Sequence, residues 1–183
     1  LYAYWIVKNY RESYGMFACN GILFNHESPK RGDDFVTQKI VKGAVAISYG
    51  DQDKLTLGNL DAMRDWGHAK DYVNGMYLML QQDKPEDYVL ATGEIHSVKE
   101  CCEYVFKKLG MPLRWEGKGI EEKGYSGDKL VIDCSEEFYR PAEVQLLHGD
   151  SKKAQKELNW KFEHDFYSLM DDMVDVELLK KVV

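Results

Sequence analysis

The sequence predicts an α/β protein: a largely parallel sheet with helices alternating between its strands, plus a smaller mixed α/β lobe. Three observations predict it. Apolar runs of strand length, Met16 to Leu23 and Tyr88 to Ala91, alternate with segments whose apolar residues recur at helical spacing. Two later runs, Leu113 to Trp115 and Lys129 to Ile132, are short and separated by a Gly- and charge-rich loop, as in a mixed lobe. Hydrophobic residues at 44% and aromatics at 13% of 183 residues suffice for a packed core and exclude a disordered tail.

Taken in order, Leu1, Tyr4, Trp5 and Val7 to Tyr10 define a first helix to Tyr14, which Gly15 ends. No N-cap residue precedes Leu1, and a nucleotide-binding α/β domain should open on a strand and a Gly-rich turn, so the chain reads as a protein entered partway through. The strand Met16 to Leu23 suits a buried parallel position. Asn25 to Gly32 then forms a polar loop at the strand exit. Asp33 or Asp34 caps a helix to about Ile47, with Val36, Ile40, Gly43, Ala44 and Ile47 as its apolar stripe. Lys54 to Leu57 is a short strand between turns. A helix from His68 to Leu80 carries Ala69, Tyr72, Val73, Met76, Tyr77 and Leu80 on its stripe. Ser97-Val98-Lys99-Glu100 is a capping box, and Gly110 stops the helix it opens. Pro141 suits helix position N1 with Glu143 in the first turn, Asp150-Ser151 caps a helix to Leu158, and Asp165 starts a last amphipathic helix.

A net charge of −7 argues against general affinity for nucleic acid or anionic membrane. It leaves room for an anionic ligand held by local cations. No apolar run approaches the ~20 residues that span a bilayer, and no signal-peptide pattern opens the chain, so a cytosolic protein is expected. Cys19, Cys101, Cys102 and Cys134 show no C-x-x-C spacing, and the five histidines are scattered. Reduced, structural cysteines and no metal site are the expectation.

Arg31, Lys39, Arg64 and Arg140 are cations near element ends, where backbone geometry can aim them at a ligand. The planar arginine fork binds phosphate oxygens bidentately, so two arginines suit a diphosphate. The competing reading is surface ion pairing, with Arg64 bonded to Asp65 or Asp71. His26 beside Glu27 could be an acid/base pair, but neighbours on an extended segment point to opposite sides. Trp66 and Tyr72 read as core residues and Trp160 as a packing anchor. Gly117-Lys118-Gly119 lacks the third glycine and following helix of a dinucleotide fingerprint, and no nucleophile with an adjacent base is evident.

Three segments carry a resemblance: Leu23-Phe24-Asn25-His26-Glu27-Ser28-Pro29-Lys30-Arg31-Gly32, Arg64-Asp65-Trp66-Gly67-His68-Ala69-Lys70-Asp71-Tyr72, and Tyr139-Arg140-Pro141-Ala142-Glu143-Val144 with Gly149-Asp150. Together, and over a stretch running to about Val176, the sequence resembles the GDP-mannose 4,6-dehydratases, extended short-chain dehydrogenases/reductases. The resemblance implies a Rossmann-type doubly wound sheet, with residues 1–24 ending the dinucleotide-binding domain and residues 25–183 interleaving its last elements with a sugar-nucleotide lobe. It implies NADP as cofactor, contacted at His26 and Arg31, and GDP-mannose as substrate, lined by Asn25, Val36, Lys39, Arg64, Arg140 and Glu143. It implies a homo-oligomer, dimer or tetramer. The family's glycine fingerprint, its Thr and Glu for elimination and its Tyr-x-x-x-Lys pair would lie before Leu1, so no catalytic residue is expected within the chain. Lys30 replaces the usual first arginine before Gly32, which keeps charge and loses the fork. Another nucleotide-sugar dehydratase or epimerase, or a non-catalytic binding fragment, are the alternatives.

Overall fold

The computed structural model describes residues 1–139 and 144–182. In chain order its elements are α1 (Tyr2–Tyr14), β1 (Gly21–Leu23), β2 (Asn25–Glu27), α2 (Val36–Tyr49), β3 (Leu55–Leu57), β4 (Met63–Arg64), β5 (Trp66–His68) and α3 (Ala69–Met79). Then follow β6 (Tyr88–Leu90), β7 (His96–Ser97), α4 (Val98–Lys108), β8 (Leu113–Glu116), β9 (Lys123–Ser126), β10 (Lys129–Cys134), α5 (Lys152–Glu157) and α6 (Phe166–Val182). The chain divides into two compact units. One comprises Leu1–His26, Asp65–Glu94 and His148–Phe166; the other comprises Glu27–Arg64, Ile95–Leu147 and Tyr167–Val183.

In the first unit, β1 and β6 pair in parallel, Gly21 opposite Tyr88 through Leu23 opposite Leu90. Its core gathers Tyr72 and Met79 of α3, Tyr88 and Leu90 of β6, and Ala154, Leu158 and Trp160. Gly75 is what lets α3 come this close, because a Cβ there would stand 2.6 Å from Leu90 and 3.1 Å from the Trp160 indole nitrogen. The buried stripe of α3 is accordingly Asp71, Tyr72, Gly75 and Met79, rotated from the expected one, and Val73 and Tyr77 face outward. The expected strand Met16 to Leu23 contracts to β1, since only its last three residues find ladder partners on β6.

The second unit holds a four-stranded sheet in the order β3-β10-β9-β8, with β3 and β10 parallel and the remaining pairs antiparallel. Strand β9 falls inside the segment expected to be loop. Its Gly124 lies so close to Trp115 and Ile132 that any side chain would collide, which masks the strand in sequence. Helices α2 and α4 pack together; α2 buries Ile40, Val41, Ala44 and Val45, and α4 buries Cys101, Cys102, Val105 and Phe106. Of the expected capping box the N-cap half is formed, with the Glu100 amide donating to Ser97 Oγ at 3.0 Å, while the Glu100 carboxylate meets His96 Nδ1 at 2.9 Å. The aspartate cap of α2 is not: Phe35 occupies the N-cap position with no side-chain cap, and Asp33 instead pairs with Lys42 at 2.6 Å. The helix start expected at Pro141 lies outside the described residues.

Candidate functional site

In the second unit, the residues from Glu27 to Lys39 form one connected arrangement. Glu27 ends β2 with its carboxylate buried, where an ionised group must be paired to be tolerated. Thr37, in the first turn of α2, donates its hydroxyl to Glu27 at 2.6 Å, and Arg31 Nε lies 3.1 Å from the same oxygen. The Arg31 guanidinium also stands over the Phe35 ring at 3.4 Å. Its terminal nitrogens make no hydrogen bond among the described residues. Lys39 lies over the Phe138 ring at 3.6 Å. Burial lowers the Lys39 pKa from the ordinary lysine value, and the Glu137 carboxylate opposes that shift. Phe138 can reach this position because Gly58 has no Cβ; one there would run into the Phe138 carbonyl.

Arg64 closes β4. Its Nη1 donates to the carbonyls of Met63 at 2.8 Å and Val144 at 2.7 Å. The ion-pair partners proposed for it have other work. Asp65 accepts from the Thr92 amide and hydroxyl at 2.9 and 2.7 Å, from the Gly93 amide at 2.9 Å and from the Gly149 amide at 3.3 Å. Asp71 faces the His164 ring nitrogen at 3.1 Å.

In the first unit, His26 Nδ1 donates to the Phe24 carbonyl at 2.9 Å, since a carbonyl can only accept, and the ring stacks on Tyr72 at 5.1 Å. His26 and Glu27 therefore serve separate partners, as their positions on an extended strand require. The Asn25 side-chain amide makes no hydrogen bond among the described residues and keeps both its donor and its acceptor. Val36 begins α2. Arg140 and Glu143 lie outside the described residues. Thr37, Phe35 and Phe138 were not singled out as contributors, and Glu27 only as a possible acid/base partner of His26; the one sequence signal for the first three was their adjacency to charged positions.

The thiols do not join this chemistry. Cys101 and Cys102 are fully buried, and burial, aided at Cys101 by the Glu27 charge, pushes both thiols well up. No cluster of His, Cys, Asp and Glu among the described residues could hold a metal ion. No described helix is long and apolar enough to cross a membrane.

The profile of the family described as GDP-mannose 4,6 dehydratase matches residues 1–173. The chain belongs to the GDP-mannose 4,6-dehydratase family. It is 55% identical over 180 residues to the GDP-mannose 4,6-dehydratase of Sinorhizobium fredii, covering 97% of this chain and 51% of that protein. It is 53% identical over 184 residues to the human GDP-mannose 4,6 dehydratase, covering 98% of this chain and 50% of that protein. The chain thus spans about half the length of the curated relatives it matches. Among solved structures, RMD from Pseudomonas aeruginosa complexed with NADPH superposes with a TM-score of 0.80 at 17% identity, over 97% of this chain and 54% of that one. The dTDP-glucose 4,6-dehydratase of Bacillus anthracis in complex with NAD gives 0.76 at 16%, over 98% and 50%. At such identities these structures speak to the fold, which is that of the Rossmann-type nucleotide-sugar enzymes.

Proposed function

We propose that this chain forms the sugar-nucleotide-binding half of a GDP-mannose 4,6-dehydratase, which converts GDP-D-mannose to GDP-4-dehydro-6-deoxy-D-mannose. The observation that carries the reading is the set of cations held ready within one unit. Arg31 and Lys39 are braced on aromatic rings and Arg64 on carbonyls. The Arg31 guanidinium, held by its face and its Nε edge, keeps its terminal nitrogens for phosphate oxygens. The first turn of α2 adds amide groups with no side-chain cap, which favour an anion further. Lys39 and Arg64 would neutralise the diphosphate, and Asn25, with donor and acceptor both available, would bond sugar or nucleotide hydroxyls. Val36, Arg140 and Glu143 complete the proposed sugar-nucleotide lining.

His26 and Arg31 are the proposed cofactor contacts, and the residues fit: the Arg31 terminal nitrogens are disengaged and suit a phosphate. NADP, when bound, supplies the hydride acceptor and donor that a redox-neutral 4,6-dehydration needs. The catalytic acid and base belong to other parts of the complete enzyme, which we read as a cytoplasmic homo-oligomer, dimer or tetramer.

Isothermal calorimetry on the complete enzyme tests this. Replacing Arg64 or Arg140 with Ala should weaken GDP-mannose binding by about 1.5 to 3 kcal/mol, the range for hydrogen bonds to a charged group. Unchanged affinity in both variants, or turnover of UDP- or dTDP-sugars in preference to GDP-mannose, would overturn it.

A further inference from the structure

The Glu27 carboxylate, only 2% exposed, stands between two features that the proposed function uses separately: the Arg31 guanidinium and the start of α2. Thr37 fixes it from one side through a directed 2.6 Å hydrogen bond. On the other side Arg31 Nε is 3.1 Å away and itself buried, but its N–H is not aligned on the oxygen, so the contact is an attraction of charges. Buried charges at this distance interact strongly because little water screens them. The ring of Phe35 fixes the guanidinium plane at 3.4 Å. The loop between is tied by the Arg31 amide to Ser28 O at 2.9 Å and the Phe35 amide to Gly32 O at 3.2 Å. Carboxylate and ring together engage the Nε edge and one face of the guanidinium. What remains without a protein partner among the described residues is the terminal fork.

We infer that Glu27 is a positioning residue: it sets the Arg31 guanidinium so that its terminal nitrogens meet a phosphate group of the cofactor, while its bond to Thr37 anchors this setting to α2. The inference rests on the reading of Arg31 as a cofactor contact. An arginine held in one orientation loses little side-chain freedom on binding, so removing the carboxylate costs affinity even though Glu27 touches no ligand. A lysine at position 31 would keep the charge and lose both the Nε edge and the stacking plane.

A double-mutant cycle on NADP affinity in the complete enzyme, read by calorimetry, tests this. Glu27→Gln and Arg31→Ala should each weaken NADP binding about tenfold or more, and the double variant should bind no worse than Arg31→Ala alone. Arg31→Lys should weaken binding as Glu27→Gln does, and it decides the matter if Glu27→Gln fails to fold. A carboxylate that merely supports the fold would lower the melting temperature and give additive losses. Additivity, native affinity in Glu27→Gln, or native affinity in Arg31→Lys would each overturn the inference. Native affinity in Arg31→Ala would remove the reading of Arg31 itself, an outcome separate from the other three.

Discussion

Asp65 shows how much one side chain can organise. Its carboxylate is fully buried and accepts from three backbone amides and one hydroxyl, drawing Thr92, Gly93 and Gly149 to a single point within the first unit. Asp65→Asn keeps the shape but turns one acceptor into a donor facing amide N–H groups, and should cost roughly 2 to 3 kcal/mol of stability. Urea unfolding of the complete enzyme measures it, and a loss below half a kcal/mol would refute the account. Part of this was legible in the sequence: Trp66 reads as core, and Arg64-Asp65-Trp66 opens one of the segments that carry the family resemblance. The partners of Asp65 were not legible, because Gly149 lies 84 positions away and a backbone amide has no residue-type signature. A second residue-scale prediction concerns acid. Arg11 bonds Asp87 at 2.7 and 3.1 Å, and that hydrogen bond pulls the Asp87 carboxyl down from 3.8 to about 2. A carboxyl that titrates lower when folded stabilises fully above its unfolded value and loses that contribution as the pH falls from 3.8 toward about 2. The stability advantage of the native protein over Asp87→Asn, on the order of 1 to 2 kcal/mol near neutral pH after solvent screening, should therefore vanish between about pH 4 and pH 2. A pH-independent difference in acid unfolding would count against the pair.

At the scale of elements, long periodic helices were readable and short strands were not. Helices α1, α3 and α4 fall where apolar spacing and glycine stops put them, and Gly15 and Gly110 adopt positive φ of 66° and 76° beyond their ends. Strands β2, β4 and β7 have two or three residues each and carry polar side chains, so neither alternation nor composition marks them. Strand β2 matters most, because it turns a polar loop into a fixed platform for Asn25, His26 and Glu27. The start of α2 was misplaced for a related reason. Aspartates at 33 and 34 satisfy the cap pattern, yet Phe35 takes the N-cap position, where its ring meets the Arg31 guanidinium. A helix whose first turn is left uncapped is less stable by itself and better suited to an anion. Gly58 sets the second aromatic brace. Gly58→Ala brings a methyl group against the Phe138 carbonyl and should displace the 3-10 turn Glu136–Phe138 from Lys39. We expect a loss of about 1 to 3 kcal/mol in stability, the usual cost of overpacking, together with weaker GDP-mannose binding in the complete enzyme. Full stability with native affinity would show that the close approach is not needed.

Across the whole molecule, the two units are each built from three separated stretches of chain, and no Pro- or Gly-rich linker marks the changeovers. The sequence signalled one α/β class and a resemblance, but interleaving of this kind arises from contacts between distant segments and leaves no local pattern. The first unit carries a surface that its own core does not use. Helix α1 buries none of its 13 residues, and Tyr2, Trp5, Tyr10 and Tyr14 are exposed along it. Ile6, Val7, Tyr10, Met16 and Ala18 line an apolar depression beside it. Strand β1 pairs only with β6 among the described residues, although parallel strands are normally hydrogen-bonded on both edges and covered on both faces. The relatives are about twice as long as the matched stretch, so polypeptide is available in them to cover such a face. An uncovered apolar face of this kind drives self-association. The 183-residue polypeptide alone should therefore elute as aggregates in size exclusion and form no 4-keto sugar from GDP-mannose with NADP. Joined to the half of the human relative that the match leaves uncovered, it should elute as a defined oligomer and melt cooperatively. A monodisperse, cooperatively melting monomer of the 183 residues would mean that the α1 face is stable in water as it stands, and 4-keto sugar formation by it would place the dehydration chemistry within this chain.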